Sequence, residues 1–190
     1  MKKRIIVGIS GASGVRLGIA VLEILSELPD WETHLVMTRG AEVTLGYESE
    51  KSPEELRAMA DVVHPIDDLA ASISSGSFAT EGMIIAPCSI KTAAGIANGY
   101  SENLLLRAAD VVIKERRRLL LMPRESPLSP IHLRNLLALS ELGAYILPPV
   151  PAFYQQPVDM DGVVKNLAGR ALGYFGIETD LFQPWEGRIY

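Results

Sequence analysis

Two short segments of the sequence contain the residue types that bind phosphate groups. Residues 8–14 read Gly-Ile-Ser-Gly-Ala-Ser-Gly and lie between an apolar run and a helical pattern. Backbone N–H groups at a helix start attract anions, and the hydroxyls of Ser10 and Ser13 add further donors. The spacing is not Gly-x-Gly-x-x-Gly, and no acidic residue clearly ends the second predicted strand to hold a dinucleotide ribose. The segment therefore favours a mononucleotide phosphate over a dinucleotide, with a ligand-free tight turn as the alternative.

Residues 87–92, Pro-Cys-Ser-Ile-Lys-Thr, repeat this arrangement after another apolar run. Ser89 can cap the following helix, whose first turn contains Lys91 and Thr92. A lysine in a first turn opposes the helix dipole, and a bound anion would remove that penalty. Lys91 therefore indicates a phosphate or an electron-rich ring, although a solvent-facing lysine explains the single residue equally well. Cys88 is better explained as a small core residue than as a nucleophile.

A group of positively charged residues has the chemistry of a second phosphate site. Arg107 and Lys114 are seven positions apart on one predicted helix and share a face of it. Arg124 follows a predicted strand, and Arg170 lies in the last predicted helix. Together with Lys91 they are expected to surround a phosphate, because a guanidinium can bind two phosphate oxygens at once. Taken singly, each is better explained as a solvated or ion-paired surface charge.

Aromatic and hydroxyl side chains complete the set of candidate ligand contacts. The stiff segment 148–154, Pro-Pro-Val-Pro-Ala-Phe-Tyr, presents Phe153 and Tyr154 as an aromatic wall or serves as a rigid core connection. Trp185 closes the same pocket or packs against a neighbouring subunit. The segment 72–78, Ser-Ile-Ser-Ser-Gly-Ser-Phe, either donates hydrogen bonds to a phosphate or is a flexible surface loop.

The overall composition excludes several classes of protein. The chain has 190 residues, a formal net charge of -5 and one cysteine. The acidic charge argues against nucleic-acid binding, and the single cysteine excludes an internal disulfide framework. The scattered histidines lack metal-ligand spacing, so no metal is expected. No apolar stretch reaches the ~18 residues of a membrane span, and the start is interpreted as a strand rather than a signal peptide. A cytoplasmic protein without a membrane or nucleic-acid partner is expected.

The candidate residues follow predicted strands, which alternate with predicted helices along the chain. Apolar runs predict strands at 5–9, 33–38, 62–66, 83–86, 119–122 and 145–147, and helical spacing predicts helices at 15–28, 41–47, 53–60, 90–97, 104–117, 130–142 and 159–175. This alternation is typical of a parallel sheet with helices on both faces. Ligands in such folds bind beyond the carboxyl ends of the strands. No repeat or linker divides the chain, so residues 1–190 are predicted to form one domain.

Five segments in the same order give the sequence a specific resemblance to one enzyme family. Residues 8–14, 72–78, 87–92, 107–117 and 148–154 resemble motifs of the UbiX-type flavin prenyltransferases, also known as the phenolic-acid decarboxylase accessory subunit family. The resemblance implies an α/β fold, a flavodoxin-like or Rossmann three-layer sandwich with a mainly parallel sheet. It also implies a large homo-oligomer, typically a dodecamer, with sites between subunits.

The resemblance further implies which residues form the site. FMN would be bound by Gly11, Ala12, Ser13, Thr38, Ser89, Ile90, Lys91, Thr92 and Arg124. The prenyl phosphate would be bound by Arg107, Lys114, Arg124, Tyr154 and Arg170, with Trp185 at an aromatic position near the site. Ser13, Glu48 and Glu125 match positions with catalytic roles. One departure from the family pattern is Arg16-Leu17, which adds a charge and puts leucine in place of an aromatic.

The reaction that the resemblance implies needs no metal. A dimethylallyl group would pass from dimethylallyl phosphate to N5 and C6 of reduced FMN, giving prenylated FMN for a UbiD-type decarboxylase. Two other functions remain open: an FMN-dependent decarboxylase of the cysteine-decarboxylase superfamily, which shares the fold and the FMN site, and a non-catalytic FMN carrier. The sequence lacks the Pro-x-Met-Asn segment of those decarboxylases. A carrier would need only one phosphate site, whereas the cations indicate two.

Overall fold

The computed structural model describes residues 2–187. Its strands are β1 (Lys3–Ile9), β2 (Trp31–Met37), β3 (Val62–His64), β4 (Gly82–Cys88), β5 (Arg118–Pro123) and β6 (Tyr145–Ile146). Its helices are α1 (Val15–Ser26), α2 (Arg39–Glu48), α3 (Pro53–Arg57), α4 (Ile90–Ala97), α5 (Leu104–Lys114), α6 (Pro130–Glu141) and α7 (Met160–Gly173). Short 3-10 turns lie at Ser72–Ser74 and Phe153–Gln155. The described strands form one sheet, ordered β3-β2-β1-β4-β5-β6, in which every neighbouring pair is parallel.

The central strands are continuous apolar runs because helices cover both faces of the sheet. Residues 5–9 of β1 and all of β4 are buried. Strands that are buried on both faces need apolar side chains at successive positions rather than at alternate ones. The predicted α/β fold with a parallel, flavodoxin-like sheet is therefore confirmed.

The helices form two layers, one on each face of the sheet. One core contains residues of α1, α2, α3 and α7, among them Leu22 and Leu172. The other contains residues of α4, α5 and α6, among them Val112 and Leu139, and also Ile73 from the segment before β4. Side chains on α5 and on α7 therefore belong to opposite layers of the molecule.

Gly18 allows α1 to lie directly against the sheet. A Cβ at this position would overlap the carbonyl oxygen of Ala86 in β4 and the side chain of Ile9 in β1. Any larger residue would push α1 away from the strands whose carboxyl ends carry the phosphate-binding motifs. The helix is otherwise apolar on its inner face, with Leu22 and Leu25 buried.

Two helices end three residues earlier than the sequence pattern predicted, which is the largest difference at any helix end. α3 ends at Arg57, and α5 ends at Lys114 because Arg116 adopts a left-handed conformation with φ 55°. The prediction that this helix continues to residue 117 is therefore wrong. Arg118 begins β5 instead, and the Arg117 side chain binds backbone carbonyl groups. None of the helices within residues 2–187 has the length and apolar character needed to cross a bilayer.

Candidate functional site

Ser10 joins the turn after β1 to the turn after β4. Its buried hydroxyl donates to the carbonyl oxygen of Pro87 at 3.0 Å and accepts the N–H of Ser89 at 2.7 Å. The prediction that this hydroxyl is free to bind a phosphate is therefore wrong. Ser10 instead fixes the two glycine- and hydroxyl-rich turns relative to each other.

The helices α2 and α4 begin with hydroxyl caps at this edge of the sheet. Thr38 Oγ1 accepts the N–H of Ala41 at 3.1 Å. Ser89 Oγ accepts the N–H of Thr92 at 3.2 Å, and its hydroxyl donates to Thr92 Oγ1 at 3.0 Å. Each cap satisfies one N–H group of a helix start. The other N–H groups of the first turn give each start a partial positive charge that attracts anions.

Gly11 and Gly40 let the turn after β1 contact the start of α2. A Cβ on Gly11 would lie 2.8 Å from the Cα and from the carbonyl carbon of Gly40. A Cβ on Gly40 would lie 3.2 Å from the Gly11 Cα. The first approach is too close for any side chain, so Gly11 is required for the observed spacing between these two segments.

These turns and helix starts line a cleft of about 750 Å³ at the carboxyl edge of the sheet. The volume lies in the usual range of small-molecule sites. The predicted FMN-binding residues in its lining are Gly11, Thr38, Ser89, Lys91 and Thr92. Apolar side chains also line it, from Ile66, Ala94, Leu105 and Leu106. The cleft thus combines hydroxyl and ammonium groups with an apolar surface.

Several residues of the cleft were not predicted from the sequence. They are Arg39, Asp67, Tyr100, Glu102 and Asn103. Glu102 lies 3.9 Å from the exposed Lys91 ammonium, and its hydrogen bond with Tyr100 raises the pKa of that phenol. Arg39 comes directly after Thr38 at the end of β2, so the rule that ligands bind beyond strand ends could have identified it.

The other predicted FMN-binding residues do not line this cleft, although they lie close to residues that do. Ala12 and Ser13 follow Gly11, and Ile90 begins α4. The Arg124 N–H donates to the carbonyl oxygen of Cys88 at 3.1 Å, which holds the turn after β5 next to the start of α4. The Arg124 side chain is exposed. The neighbouring Glu125 is also exposed, and its carboxylate accepts the N–H of Ser126.

Glu48 lies at the start of α1, although it belongs to the end of α2. Its Oε2 atom accepts the N–H of Gly14 at 2.7 Å and the N–H of Val15 at 2.9 Å. These N–H groups belong to the glycine-rich turn that was predicted to bind a phosphate. A carboxylate already occupies them, so an anion at this turn has to use other donors. Glu48 is placed next to Ser13, the other residue of this turn with a predicted catalytic role.

The two predicted cations of α5 contact residues of their own chain. Arg107 donates through Nε to the carbonyl oxygen of Ser74 at 3.2 Å and pairs with Asp110 at 2.6 Å. Lys114 pairs with Glu115. Both side chains are partly exposed, so they can still reach a ligand. Arg107 is the one tied to the hydroxyl-rich segment 72–78.

The remaining predicted substrate residues lie near the carboxyl end of the chain. The rings of Tyr154 and Trp185 meet edge to face with centroids 5.2 Å apart. The Arg170 guanidinium lies 5.7 Å from the centre of the Phe182 ring. Arg170 and Trp185 line a second cavity of about 900 Å³, which has several aromatic walls.

The predicted prenyl-phosphate residues therefore form two separate groups. Arg107 and Lys114 lie on α5, which belongs to one helical layer, whereas Arg170 lies on α7 in the other layer. The sheet stands between these layers. One chain alone does not bring the three cations to a single phosphate.

The departure from the family pattern and the cysteine both have structural explanations. Leu17 is buried in the core, and Arg16 pairs with Asp161 on α7. Cys88 is buried as predicted, and burial raises the pKa of its thiol to about 12. A thiol with this pKa is a poor nucleophile at neutral pH.

Comparison with known proteins agrees with this geometry. The model of the Flavoprotein family matches residues 1–167. The chain is 53% identical over 187 residues to the flavin prenyltransferase UbiX of Escherichia coli strain K12, with 97% of this chain and 99% of that protein covered. A dodecameric FMN-dependent UbiX-like decarboxylase from Escherichia coli O157:H7 superposes with a TM-score of 0.95 at 50% identity, covering 97% of this chain and 100% of that one.

A second solved structure, AnUbiX (PadA1) in complex with FMN and dimethylallyl pyrophosphate, has a TM-score of 0.96 at 49% identity and covers 100% of both chains. The similarity therefore extends over both groups of predicted site residues and not only over the cleft. The chain belongs to the Flavoprotein family and, within it, to the UbiX-type flavin prenyltransferases.

Proposed function

We propose that this protein is a flavin prenyltransferase that joins a dimethylallyl group to N5 and C6 of reduced FMN. One observation carries the proposal: a single cleft at the carboxyl edge of the sheet is lined by Gly11, Thr38, Ser89, Lys91 and Thr92. That arrangement occurs in a chain 53% identical to a flavin prenyltransferase.

The cleft suits both parts of FMN. The hydroxyls of Thr38 and Thr92 and the Lys91 ammonium lie at the starts of two helices, where a phosphate is favoured. The apolar side chains of Leu105 and Leu106 suit a flat ring system. When bound, reduced FMN would supply the electron-rich nitrogen and carbon atoms that receive the prenyl group. The protein's part is to hold these atoms against the prenyl donor and to exclude water.

The cations would act on the phosphate of the donor. As the allyl–phosphate bond breaks, negative charge grows on the departing phosphate, and positively charged side chains stabilise that charge. We assign this role to Arg107, Lys114, Arg124 and Arg170. Tyr154 would donate its hydroxyl to the phosphate, and Trp185 would place an aromatic face beside the allyl cation, which an aromatic quadrupole attracts.

Ser13, Glu48 and Glu125 are assigned to proton handling around the acceptor. Ser13 and Glu125 are exposed at the carboxyl edge of the sheet, so a bound ligand can exchange protons with them. Glu48 is held by backbone N–H groups next to Ser13. A carboxylate in this position can accept a proton through the serine hydroxyl.

We also propose that each complete site takes residues from more than one subunit. Arg107 and Arg170 lie in opposite helical layers of one chain, so an oligomer is needed to bring them together. The dodecameric state of the UbiX-like protein from Escherichia coli O157:H7 supports a dodecamer as the proposed assembly. Delivery of the product to a UbiD-type decarboxylase, and a cytoplasmic location, belong to the same proposal.

The proposal is tested under anaerobic conditions. Purified protein is mixed with reduced FMN and with dimethylallyl phosphate or dimethylallyl diphosphate, and the mass of the extracted flavin is measured. The expected result is a gain of one prenyl unit with at least one of the two donors. Arg170→Ala should abolish the gain, whereas Arg134→Ala, at an exposed arginine of α6, should not. Bound but unmodified flavin with both donors would reject the transferase function.

A second function is favoured by one comparison. The similar structure from Escherichia coli O157:H7 is described as an FMN-dependent decarboxylase. If this chain were itself a decarboxylase, it would release carbon dioxide from an aromatic acid without a prenyl donor. Measuring carbon dioxide in the same anaerobic mixture, with and without the donor, separates the two functions.

A further inference from the structure

A largely buried polar network lies near the edge of the sheet, outside the lining of the cleft. His34 on β2 is only 3% exposed, and its Nδ1 lies 2.9 Å from Nε2 of His64 at the end of β3. The His34 Nε2 lies 2.9 Å from the Glu32 carboxylate, which also accepts a hydrogen bond from Arg4 at 2.8 Å. Every nitrogen of the His34 ring therefore has a partner. The functions assigned above make no use of these side chains.

The network contacts the segment 72–78 through Phe78. The Phe78 ring meets the His34 ring edge to face with centroids 5.1 Å apart, and the Arg4 guanidinium lies 4.6 Å from the Phe78 ring centre. The backbone of Phe78 is held from the other side, because Arg117 donates to its carbonyl oxygen at 2.8 Å. Phe78 is thus fixed at both its ring and its backbone.

The same segment reaches the proposed donor site at its other end. Arg117 also donates to the carbonyl oxygen of Gly76 at 2.6 Å, and Arg107 donates to the carbonyl oxygen of Ser74 at 3.2 Å. A displacement of Phe78 would therefore move the carbonyl group that orients the Arg107 guanidinium. The connection runs from His64 through His34 to Phe78 by side-chain contacts, along the backbone from Phe78 to Ser74, and by a hydrogen bond from Arg107 to Ser74.

We propose that the His34–His64 pair positions the 72–78 segment, and through Ser74 orients Arg107 for the donor phosphate. The two histidines are positioning residues, since neither contacts the cleft. This inference rests on the proposed function, because it assigns Arg107 to donor binding. The inference adds two residues that hold Arg107 in position without contacting it.

Protonation of His64 opposes this arrangement. With Nε2–H of His34 donating to Glu32, the His34 Nδ1 accepts the hydrogen bond from Nε2–H of neutral His64. Burial, and after it the neighbouring His34, lower the pKa of His64 below its ordinary value of 6.5. A histidine whose pKa is lowered by its folded surroundings destabilises them when it becomes charged, so the segment should lose its support as the pH falls below 6.5.

Other charged groups near the two histidines influence the pH at which His64 becomes charged. Asp68 acts in the opposite direction and favours the charged form of His64. The small cavity that His64 lines also contains Arg39, Glu42, Arg57 and Asp67. Arg4 and Glu32 face His34 from the sheet.

The test compares the donor KM of wild type and His64→Gln over a range of pH. Glutamine can still bond to His34 but cannot take up a proton. The phosphate of dimethylallyl phosphate titrates near pH 6 itself, so the ratio of the two KM values is the quantity to follow. We expect a constant ratio of the wild-type KM to the His64→Gln KM above pH 7 and a rise of up to about tenfold per pH unit once His64 binds its proton. The wild-type kcat should fall over the same range, because Arg107 also stabilises the departing phosphate.

His132→Gln provides the matched control, because His132 is the third residue of α6, completes the capping box with Ser129 and lies outside the network. Its KM profile should follow that of wild type. A ratio that stays flat into acid, or an equal change in the His132 variant, would overturn the positioning role.

Hydrogen exchange separates this inference from the proposed function. In His64→Leu the amides of residues 72–81 should exchange about tenfold faster than in wild type, while those of α6 should not change. If wild type transfers no prenyl group but the segment loosens as expected, the transferase function falls and the positioning role stands. If exchange is the same in both proteins, the positioning role falls even when transfer is observed.

Discussion

Replacing Gly11 by alanine would disturb the cleft where the turn after β1 meets α2. The new methyl group would lie 2.8 Å from two backbone atoms of Gly40, and backbone cannot turn aside as a flexible side chain can. One segment has to shift, and overpacking of this kind costs about 1–3 kcal/mol. The shift separates Gly11 from Thr38, so FMN should bind about 5- to 150-fold more weakly if that free energy is lost from the bound state.

Gly40→Ala is the matched control for this substitution. Its methyl group would lie 3.2 Å from the Gly11 Cα, which a movement of a few tenths of an ångström relieves. Alanine also favours the helix by up to about 1 kcal/mol over glycine, which offsets that movement. Its free energy of unfolding should therefore stay within about 1 kcal/mol of wild type.

Two measurements check the pair of variants. Urea unfolding at one fixed protomer concentration gives the free energy of unfolding, because an oligomer's stability depends on concentration. Flavin fluorescence titration gives the affinity for FMN. A Gly11→Ala protein as stable as wild type, with unchanged FMN affinity, would refute the contact between the turn and α2.

Three further predictions concern stability and reactivity. Glu48→Gln removes a negative charge from the start of α1, where the Glu48 carboxylate accepts the N–H of Gly14. Urea unfolding should show that the free energy of unfolding falls by about 1 kcal/mol, and an unchanged unfolding midpoint would contradict this. Burial raises the pKa of Asp61, but hydrogen bonds from Thr33 outweigh it and hold the pKa below 3.8. The stabilisation by the Asp61 carboxylate is thus complete above about pH 4 and is lost in stronger acid. The unfolding midpoint of Asp61→Asn should therefore decline less steeply below about pH 4 than that of wild type. Equal declines in the two proteins would refute this prediction. Cys88 should react with iodoacetamide at pH 8 only after unfolding in urea, and rapid labelling of native protein would contradict its pKa of about 12.

The fold could be predicted from the sequence because a parallel sheet leaves a strong pattern. Runs such as residues 5–9 are apolar at every position, whereas a strand with one exposed face would alternate apolar and polar residues. The ends of helices were harder to predict. α5 stops at Lys114 because Arg116 adopts a left-handed conformation and Arg117 binds the 72–78 segment, and helical spacing carries no trace of either contact.

The site could be predicted only in part. Glycine and hydroxyl residues after strands β1 and β4 indicated a phosphate site, because such residues bring backbone N–H groups to a ligand. The sequence could not show that the Ser10 hydroxyl is hydrogen-bonded to the turn after β4 or that Glu48 accepts N–H groups at the start of α1. These contacts depend on which segments are neighbours in space. Spacing along the chain likewise does not reveal that Arg107 and Arg170 lie in opposite layers.

The central claim is that the prenyl-transfer site takes Arg107 and Arg170 from different subunits. Arg107→Ala and Arg170→Ala are each expected to be inactive, and the two variants can be co-expressed as mixed oligomers. With random mixing in equal amounts, about one quarter of the sites would then contain both arginines.

The deciding measurement is the anaerobic flavin mass assay on these mixed oligomers. Prenyl transfer is expected to return to about one quarter of the wild-type level. If both arginines of a site came from the same subunit, no mixed site would be intact, and the mixed oligomers would stay inactive.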